Sequence, residues 1–413
     1  MKPTGPIPAG FTATGGQLVI GAKTADEWIA EAGGTPLFVY SEARMQAQMA
    51  ALRDAMPHRL SIHYAIKANP FRGVIDAMAP LVDGFDIASG GELAMLMEAG
   101  IDPAIVSFAG PGKRDEELRD AIAAGVTLNC ESEGEVERAL AIGQATGHTP
   151  RLAIRVNPDF ELKGSGMKMG GGAKPFGVDA ERVPALARRI AEGEAEWRGL
   201  HIYTGSQALD HEALIETLGN ILDLALRLCR EAGVGLPHLN MGGGFGIPYF
   251  HGDEPLNIAP IGSFLGERFA DLPEEFAATE YAIELGRYLV GEAGVYLTRI
   301  VERKESHGHT FLVTDGGLHH QLAASGNFGT VIRRNYPVAI ANRFDAPAEE
   351  VASIVGCLCT PLDRLADAVE LPQAGVGDVV AVFCAGAYGA TASPAQFLGQ
   401  GPAREIMAPA TGS

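Results

Sequence analysis

The chain has 413 residues, 46% of them hydrophobic, which is enough for one large domain or two ordinary ones, each with its own core. Acidic residues outnumber basic ones by 51 to 32, giving a formal charge of −19, and no lysine- or arginine-rich run offers a strip to neutralise phosphates, so nucleic acid and anionic membrane are not expected partners. The opening stretch MKPTGPIPAGFTATGGQ is broken by prolines and glycines, and nowhere do roughly 18 apolar residues follow one another; neither an export signal nor a spanning helix is expected.

In chain order, a strand-like QLVIG comes first and is assigned to a β-rich domain completed much later in the sequence. From about residue 36 to 290, short β-branched runs alternate with amphipathic stretches, the pattern of repeated βα units. Candidate strands lie near 60–67, 84–88, 105–109, 126–130, 152–156, 199–204, 237–241 and 281–285, with helices such as 90–100, 113–124 and 210–232 between them. Gly100, Gly125 and Gly233 stand where helix ends commonly need a left-handed residue. Eight such units in about 250 residues match the size of a (β/α)₈ barrel. A doubly wound open sheet has the same texture, because strand count alone does not show closure. After residue 290 the alternations VYLTRIVERK, HTFLVTDGG, VEL and DVVAVFCAG read as strands. The expected organisation is a barrel over 36–290 and a β-rich domain from 1–35 and 291–413.

Barrel enzymes place their chemistry at the C-terminal ends of the strands, and here the unusual residues gather at those ends. SIHYAIKANP ends its strand in Lys67, and alternation puts His63, Ala65 and Lys67 on one face. If that face is interior, burial lowers the lysine's pKa toward use as a nucleophile, whereas a surface lysine following a strand is the plainer alternative. Asp86 in FDIASGGE and Arg155 in AIRVNP also close strands, where an unpaired charge would be costly. GLHIYTGSQ sets His201 and Tyr203 on one face ahead of Ser206; either ring could simply fill the barrel. GSGMKMGGGAKPFG at 164–177 is read as a flexible loop, with a catalytic lid as the alternative. NMGGGFG supplies Gly242, Gly243 and Gly244, whose backbone could crowd around an anion, and it fits neither a dinucleotide nor a triphosphate fingerprint. YAIELGRYLV offers Glu284 and Arg287, suited to a pyridinium nitrogen and a phosphate, or to each other. Five scattered cysteines fit reduced thiols in the cytoplasm, and Cys357 with Cys359 lacks a second pair at zinc spacing, so no metal is expected.

HYAIKANP, FDIASGGEL, IRVNP, LHIYTGSQ, NMGGGFG, ELGRYLVGEAG, GCLCTPLD and CAGAYG, in this order over nearly the whole chain, resemble the alanine-racemase-fold pyridoxal-phosphate decarboxylases of diaminopimelate, ornithine and arginine. The resemblance implies that Lys67 carries pyridoxal 5′-phosphate as a Schiff base and that Glu284 pairs with its ring nitrogen. It implies that Ser206, Gly242 to Gly244, Arg287 and Tyr388 hold the phosphate, with Asp86, Arg155 and Tyr203 also around the cofactor. Cys359 would serve the neighbouring subunit's site in a homodimer and manage reprotonation. Two departures bear on the reaction. Tyr203 stands where the family has a stacked histidine, keeping a ring but losing its charge. Thr360 replaces the acid that grips a distal amine, leaving Asp363 to compensate, and IRRNYP leaves Arg333, beside Arg334, as the substrate-carboxylate arginine. These departures resemble a divergent subgroup associated with exosortase gene clusters and the decarboxylases of carrier-tethered glutamyl groups. The expected function is decarboxylation of an amino acid, free or carrier-tethered; a racemase and a non-catalytic relative of the same fold are the rivals. Racemases oppose an arginine to the ring nitrogen, which Glu284 argues against.

Overall fold

The computed structural model describes residues 1–162, 167–326 and 333–410. The chain divides into two compact units, one of Met49–Gly246 with Leu256–Gly286, the other of Met1–Gln48, Ile247–Pro255 and Arg287–Ser413.

The first unit is a closed barrel of parallel strands: β1 (Leu60–Ala65), β2 (Gly84–Ile87), β3 (Val106–Phe108), β4 (Thr127–Cys130), β5 (Arg151–Asn157), β6 (Glu196–His201), β7 (His238–Gly243) and β8 (Glu280–Leu285). Each pairs with the next, and β8 pairs with β1, which settles closure against the open sheet. Helices fill the crossovers, among them Gly90–Glu98, Asp115–Ala124 and His211–Ala232, and Gly100, Gly125 and Gly233 take positive φ at their ends as expected. The outward faces of the strands are apolar, with Ile62, Tyr64, Phe85, Leu128 and Ile283 at 2% exposure or less. The interior is not. Each of the eight strands brings a buried or half-buried polar residue: His63, Asp86, Ser107, Asn129, Arg155, His201, Asn240 and Glu284. Barrels are ordinarily filled by branched apolar layers, so a connected polar interior demands that its groups satisfy one another.

The second unit is a mixed sheet whose long strand Gly294–Ser306 pairs antiparallel with His309–Thr314, Val379–Val382 and Leu37–Ser41. Leu37–Ser41 in turn carries Arg404–Ala408 in parallel. Leu18, Ile20, Trp28, Leu37, Val39, Val295, Leu297 and Phe383 form a core here, with the Trp28 indole donating to the Ile20 carbonyl at 2.8 Å. The expected boundaries therefore shift. Residues 36–48 leave the barrel because LFVYS finds its partners in this sheet, residues 247–255 also join this unit, and the barrel ends at Gly286. Of the glycine-rich stretch 164–177, residues 164–166 lie outside the described residues. The rest is tied down: Met167–Lys168 pairs with Gly205–Ser206, and the Asn157 side chain bonds the Gly171 N–H and the Gly172 carbonyl. No helix of the described residues is long and apolar enough to cross a membrane.

Candidate active site at the barrel rim

Lys67 does not lie on β1. The strand ends at Ala65 and the chain tightens into a 3₁₀ turn, Ile66–Ala68, which leaves Lys67 exposed, so burial of the residue is not what would tune its amine. Its Nζ stands 5.4 Å from the centroid of the Tyr203 ring, which is 9% exposed and follows β6.

Glu284 points into the barrel at 5% exposure. Its Oε2 lies 3.1 Å from His201 Nε2 and 3.2 Å from Asn240 Nδ2. Burial penalises its charge, but His201 and then Lys67 and Arg155 outweigh that penalty and hold its pKa well below the usual carboxylate range. Asp86 accepts from Ser107 Oγ at 2.6 Å, lies 3.3 Å from His63 Nδ1 and 3.4 Å from Asn240 Nδ2. Burial opposes charge on His63, yet Asp86, with Glu284 and Asp83, raises its pKa above the ordinary value. Gly84 makes room for this ring, since a Cβ there would lie 2.7 Å from His63 Nε2. Below the network, a cavity of about 140 Å³ opens among the N-terminal ends of the strands, lined by Ser61, His63, Asp83, Arg198, His238 and Glu280 among others. Arg155 Nη1 donates to Glu131 Oε1 at 2.8 Å, and Glu131 also accepts the Gly110 and Gly177 N–H groups. Asp86 and Arg155, which the resemblance places around the cofactor, are thus both engaged by protein partners.

Gly242, Gly243 and Gly244 pack where no side chain fits. A Cβ on Gly243 would fall 2.0 Å from the Glu284 carbonyl oxygen, and one on Gly244 2.5 Å from the Gly205 carbonyl oxygen, so the loop lies flush against β8 and the Gly205–Ser206 segment. Ser206 is buried there at 8% exposure.

In the second unit, Arg287 Nη1 donates to the Tyr249 hydroxyl at 2.9 Å, and its guanidinium lies 4.8 Å from the Tyr388 ring centroid. Its Nε is buried without a hydrogen-bond partner among the described residues, an open donor of the kind an anion satisfies. Tyr388 holds φ at +55°, a region in which a tyrosine is a strained exception. Burial pushes the Tyr249 hydroxyl up to about 12, so it stays neutral beside the guanidinium.

Cys359 is exposed, and Thr360 Oγ1 accepts from the Leu362 N–H at 3.3 Å. Asp363 is held by the backbone around it. It is 3% exposed, and its two oxygens accept the Leu318 N–H at 2.7 Å and the Leu358 N–H at 2.8 Å. Added Cβ atoms on Gly317 or Gly356 would strike it at 2.2 and 2.3 Å. Its carboxylate braces two loops. Arg334 is likewise engaged, 3.8 Å from Asp253 Oδ1 and against the Phe250 ring. Arg333 donates to the Arg364 carbonyl and keeps a buried Nε with no hydrogen-bond partner among the described residues. Sequence reasoning passed over Asn240, Glu131 and Tyr249 as functional positions, because none carries a signature apart from the motif or turn around it.

The model of the pyridoxal-dependent decarboxylase family's pyridoxal-binding domain matches residues 42–291. The chain belongs to this family. An L-glutamyl-[BtrI acyl-carrier protein] decarboxylase of Niallia circulans is 34% identical over 379 residues, covering 90% of this chain and 88% of that protein. A diaminopimelate decarboxylase of Methanothermobacter thermautotrophicus is 32% identical over 384 residues, covering 90% and 86%. Among solved structures, a point mutant of diaminopimelate decarboxylase from Helicobacter pylori complexed with L-lysine superposes with a TM-score of 0.80 at 26% identity, covering 91% and 92%. The chain is accordingly a pyridoxal-phosphate-dependent amino-acid decarboxylase, and the expectations of fold, cofactor and reaction class stand. The residues on the barrel fit the cofactor: an amine and an aromatic ring lie together at the rim, with an ionised carboxylate beneath them and a side-chain-free loop beside it.

Proposed function

We propose that Lys67, Glu284 and Cys359 carry out the decarboxylation in a cytoplasmic homodimer with shared sites. The substrate proposed is an α-amino acid whose distal end is a carboxylate or carbonyl. Glu284, buried inside the barrel with its Oε2 3.1 Å from His201 Nε2, is the observation that carries the reaction reading. Bound pyridoxal phosphate supplies the electron sink for the pair left when the Cα–carboxylate bond breaks. Lys67 offers the amine that would hold the cofactor. Tyr203 presents a stacking face, Glu284 keeps the ring nitrogen's proton in place, and His201 keeps Glu284 charged. By the resemblance, Ser206, Gly242 to Gly244, Arg287 and Tyr388 are assigned to the phosphate.

Cys359, exposed on its loop, is assigned to delivering the proton to Cα in the neighbouring subunit's site. Mixing inactive Lys67→Ala and Cys359→Ala proteins then restores up to about a quarter of wild-type activity through hybrid dimers carrying one intact site. Demonstrated subunit exchange with no return of activity refutes the shared site.

The distal end is argued from the loop at 356–363. Thr360 is neutral and the Asp363 carboxylate is occupied, so this loop has no acid free to grip an ammonium. Arg333 is the remaining cation of the IRRNYP segment not paired with an acid among the described residues, and it suits a carboxylate or carbonyl. A carrier-linked glutamyl group, the substrate named for the Niallia circulans relative, satisfies the same requirement and is the second reading. Diaminopimelate, with both a distal amine and a distal carboxylate, falls between. Glutamate or its carrier-linked thioester is expected to exceed lysine and ornithine in kcat/KM by roughly ten- to a hundredfold, the value of one charge-assisted hydrogen bond. Arg333→Ala erases most of that preference. Fast turnover of lysine or ornithine, unaffected by Arg333→Ala, refutes the proposal.

A further inference from the structure

Asn240 is 2% exposed in the middle of β7 and makes three side-chain hydrogen bonds. Its Nδ2 donates to Glu284 Oε2 at 3.2 Å and to Asp86 Oδ1 at 3.4 Å, and its Oδ1 accepts the Gly242 N–H at 2.9 Å. A primary amide has two donor hydrogens and an acceptor, so one uncharged group serves two carboxylates and a backbone amide together. The bond to Gly242 falls where the register of the ladder shifts. Asn240 is opposite Ala282, but Gly243 is opposite Glu284, so an extra residue is accommodated between them and Gly242 turns to φ +64°. The side chain thereby touches both Glu284 and the register shift at the start of the glycine run.

The charges facing this junction come from several strands. His201 on β6, Lys67 after β1 and Arg155 on β5 act on Glu284, while His63 on β1 and Ser107 on β3 hold Asp86. Beyond them Asp83 acts on His63, and His238 on β7 is pushed down to about 3 by burial and by His63, Arg198 and His201. Two carboxylates already share this interior. A third at position 240 would be unfavourable, whereas a neutral amide binds both without adding charge.

We propose that Asn240 is a positioning residue for the decarboxylation, clamping Glu284 in its ionised, inward orientation and anchoring the glycine loop to the same point. The inference rests on the assignment of Glu284 to the cofactor's ring nitrogen. It separates two effects that different substitutions isolate. Asn240→Asp keeps an acceptor for Gly242 but replaces the donors with a third carboxylate. Asn240→Ala removes both links, and Asn240→Ser, which can still accept from Gly242 but is too short to reach both carboxylates, is the milder companion should Ala not fold.

The holoenzymes are compared by the pH dependence of kcat and kcat/KM, and by cofactor dissociation constants from titration of the apoproteins. In Asn240→Asp an acid limb absent from the wild-type profile is expected to enter the measurable range and kcat to fall about tenfold, with cofactor affinity within about threefold of wild type. In Asn240→Ala cofactor affinity is expected to weaken about tenfold or more. A readout free of cofactor accompanies these. The carboxyl cluster of apo Asn240→Asp has a folded-state pKa raised above its unfolded value, so stability is present at low pH and lost as pH rises through the folded pKa. Its Tm is therefore expected to fall relative to wild type between about pH 4 and 7. Glu284→Gln is the control for the premise: if its kcat is that of wild type, the ring-nitrogen assignment fails and the proposal with it. If Glu284→Gln is impaired while Asn240→Asp keeps the wild-type pH profile and Tm, the role of Asn240 is overturned.

Discussion

Lys67→Ala protein, purified and supplied with pyridoxal phosphate, is expected to lack the Schiff-base absorbance band that wild type shows and that hydroxylamine discharges. Its decarboxylase activity should fall at least about a thousandfold, since a lost covalent attachment and a lost amine for exchange act together. The expectation rests on place: Lys67 is the amine at the end of β1, 5.4 Å from the Tyr203 ring and close enough to Glu284 to help hold it ionised. Lys67→Arg separates covalent from electrostatic roles, because a guanidinium preserves the charge toward Glu284 but does not form an imine under these conditions. Both variants should therefore be colourless, while Arg keeps more cofactor affinity than Ala. A wild type that remains colourless after reconstitution, or a Lys67→Arg protein that keeps the band, sinks the assignment.

Much of this arrangement was legible beforehand because barrel strands write themselves locally. β-branched runs ending in a charged or glycine-rich residue place each strand to within a few positions, and the ordered motifs bring Lys67, Tyr203, the glycine loop and Glu284 into one unit. What escaped depends on long-range pairing or on where regularity stops. LFVYS at 37–41 reads like any barrel strand, and only its pairing with residues 294–297 and 404–408 assigns it to the other sheet. Alternation set Lys67 on one face with His63 and Ala65, but a period of two carries no information about the 3₁₀ turn that begins at Ile66. Asp363 looked available because sequence shows an acid and not the two backbone N–H groups it binds. Arg334 looked available until Asp253, some eighty residues earlier, was placed beside it. The polar barrel interior was visible residue by residue, in His63, Asp86, His201 and Glu284, but its connection through Asn240 exists only once the barrel closes.

Glu284→Gln is expected to lower kcat by roughly a hundred- to a thousandfold, the range seen when one preorganised electrostatic partner of a developing charge is removed. The substitution keeps the shape of the side chain and removes the charge. A neutral amide no longer stabilises a protonated ring nitrogen, so the electron sink weakens at the step where the Cα–carboxylate bond breaks, and the loss should appear in kcat more than in KM. Two features make the wild-type charge secure. His201 Nε2 approaches to 3.1 Å and, with Lys67 and Arg155, overcomes the cost of burial, and Asn240 donates to the same carboxylate at 3.2 Å. Because the pKa is depressed, Glu284 stays ionised as the pH falls through the ordinary carboxylate range. Any loss of wild-type rate above about pH 5 must then come from other groups. His201→Phe tests this from the other side: it removes the histidine while keeping a ring, raises the Glu284 pKa, and should bring an acid limb into the measurable range. A Glu284→Gln enzyme within about threefold of wild-type kcat would show that the buried carboxylate is structural.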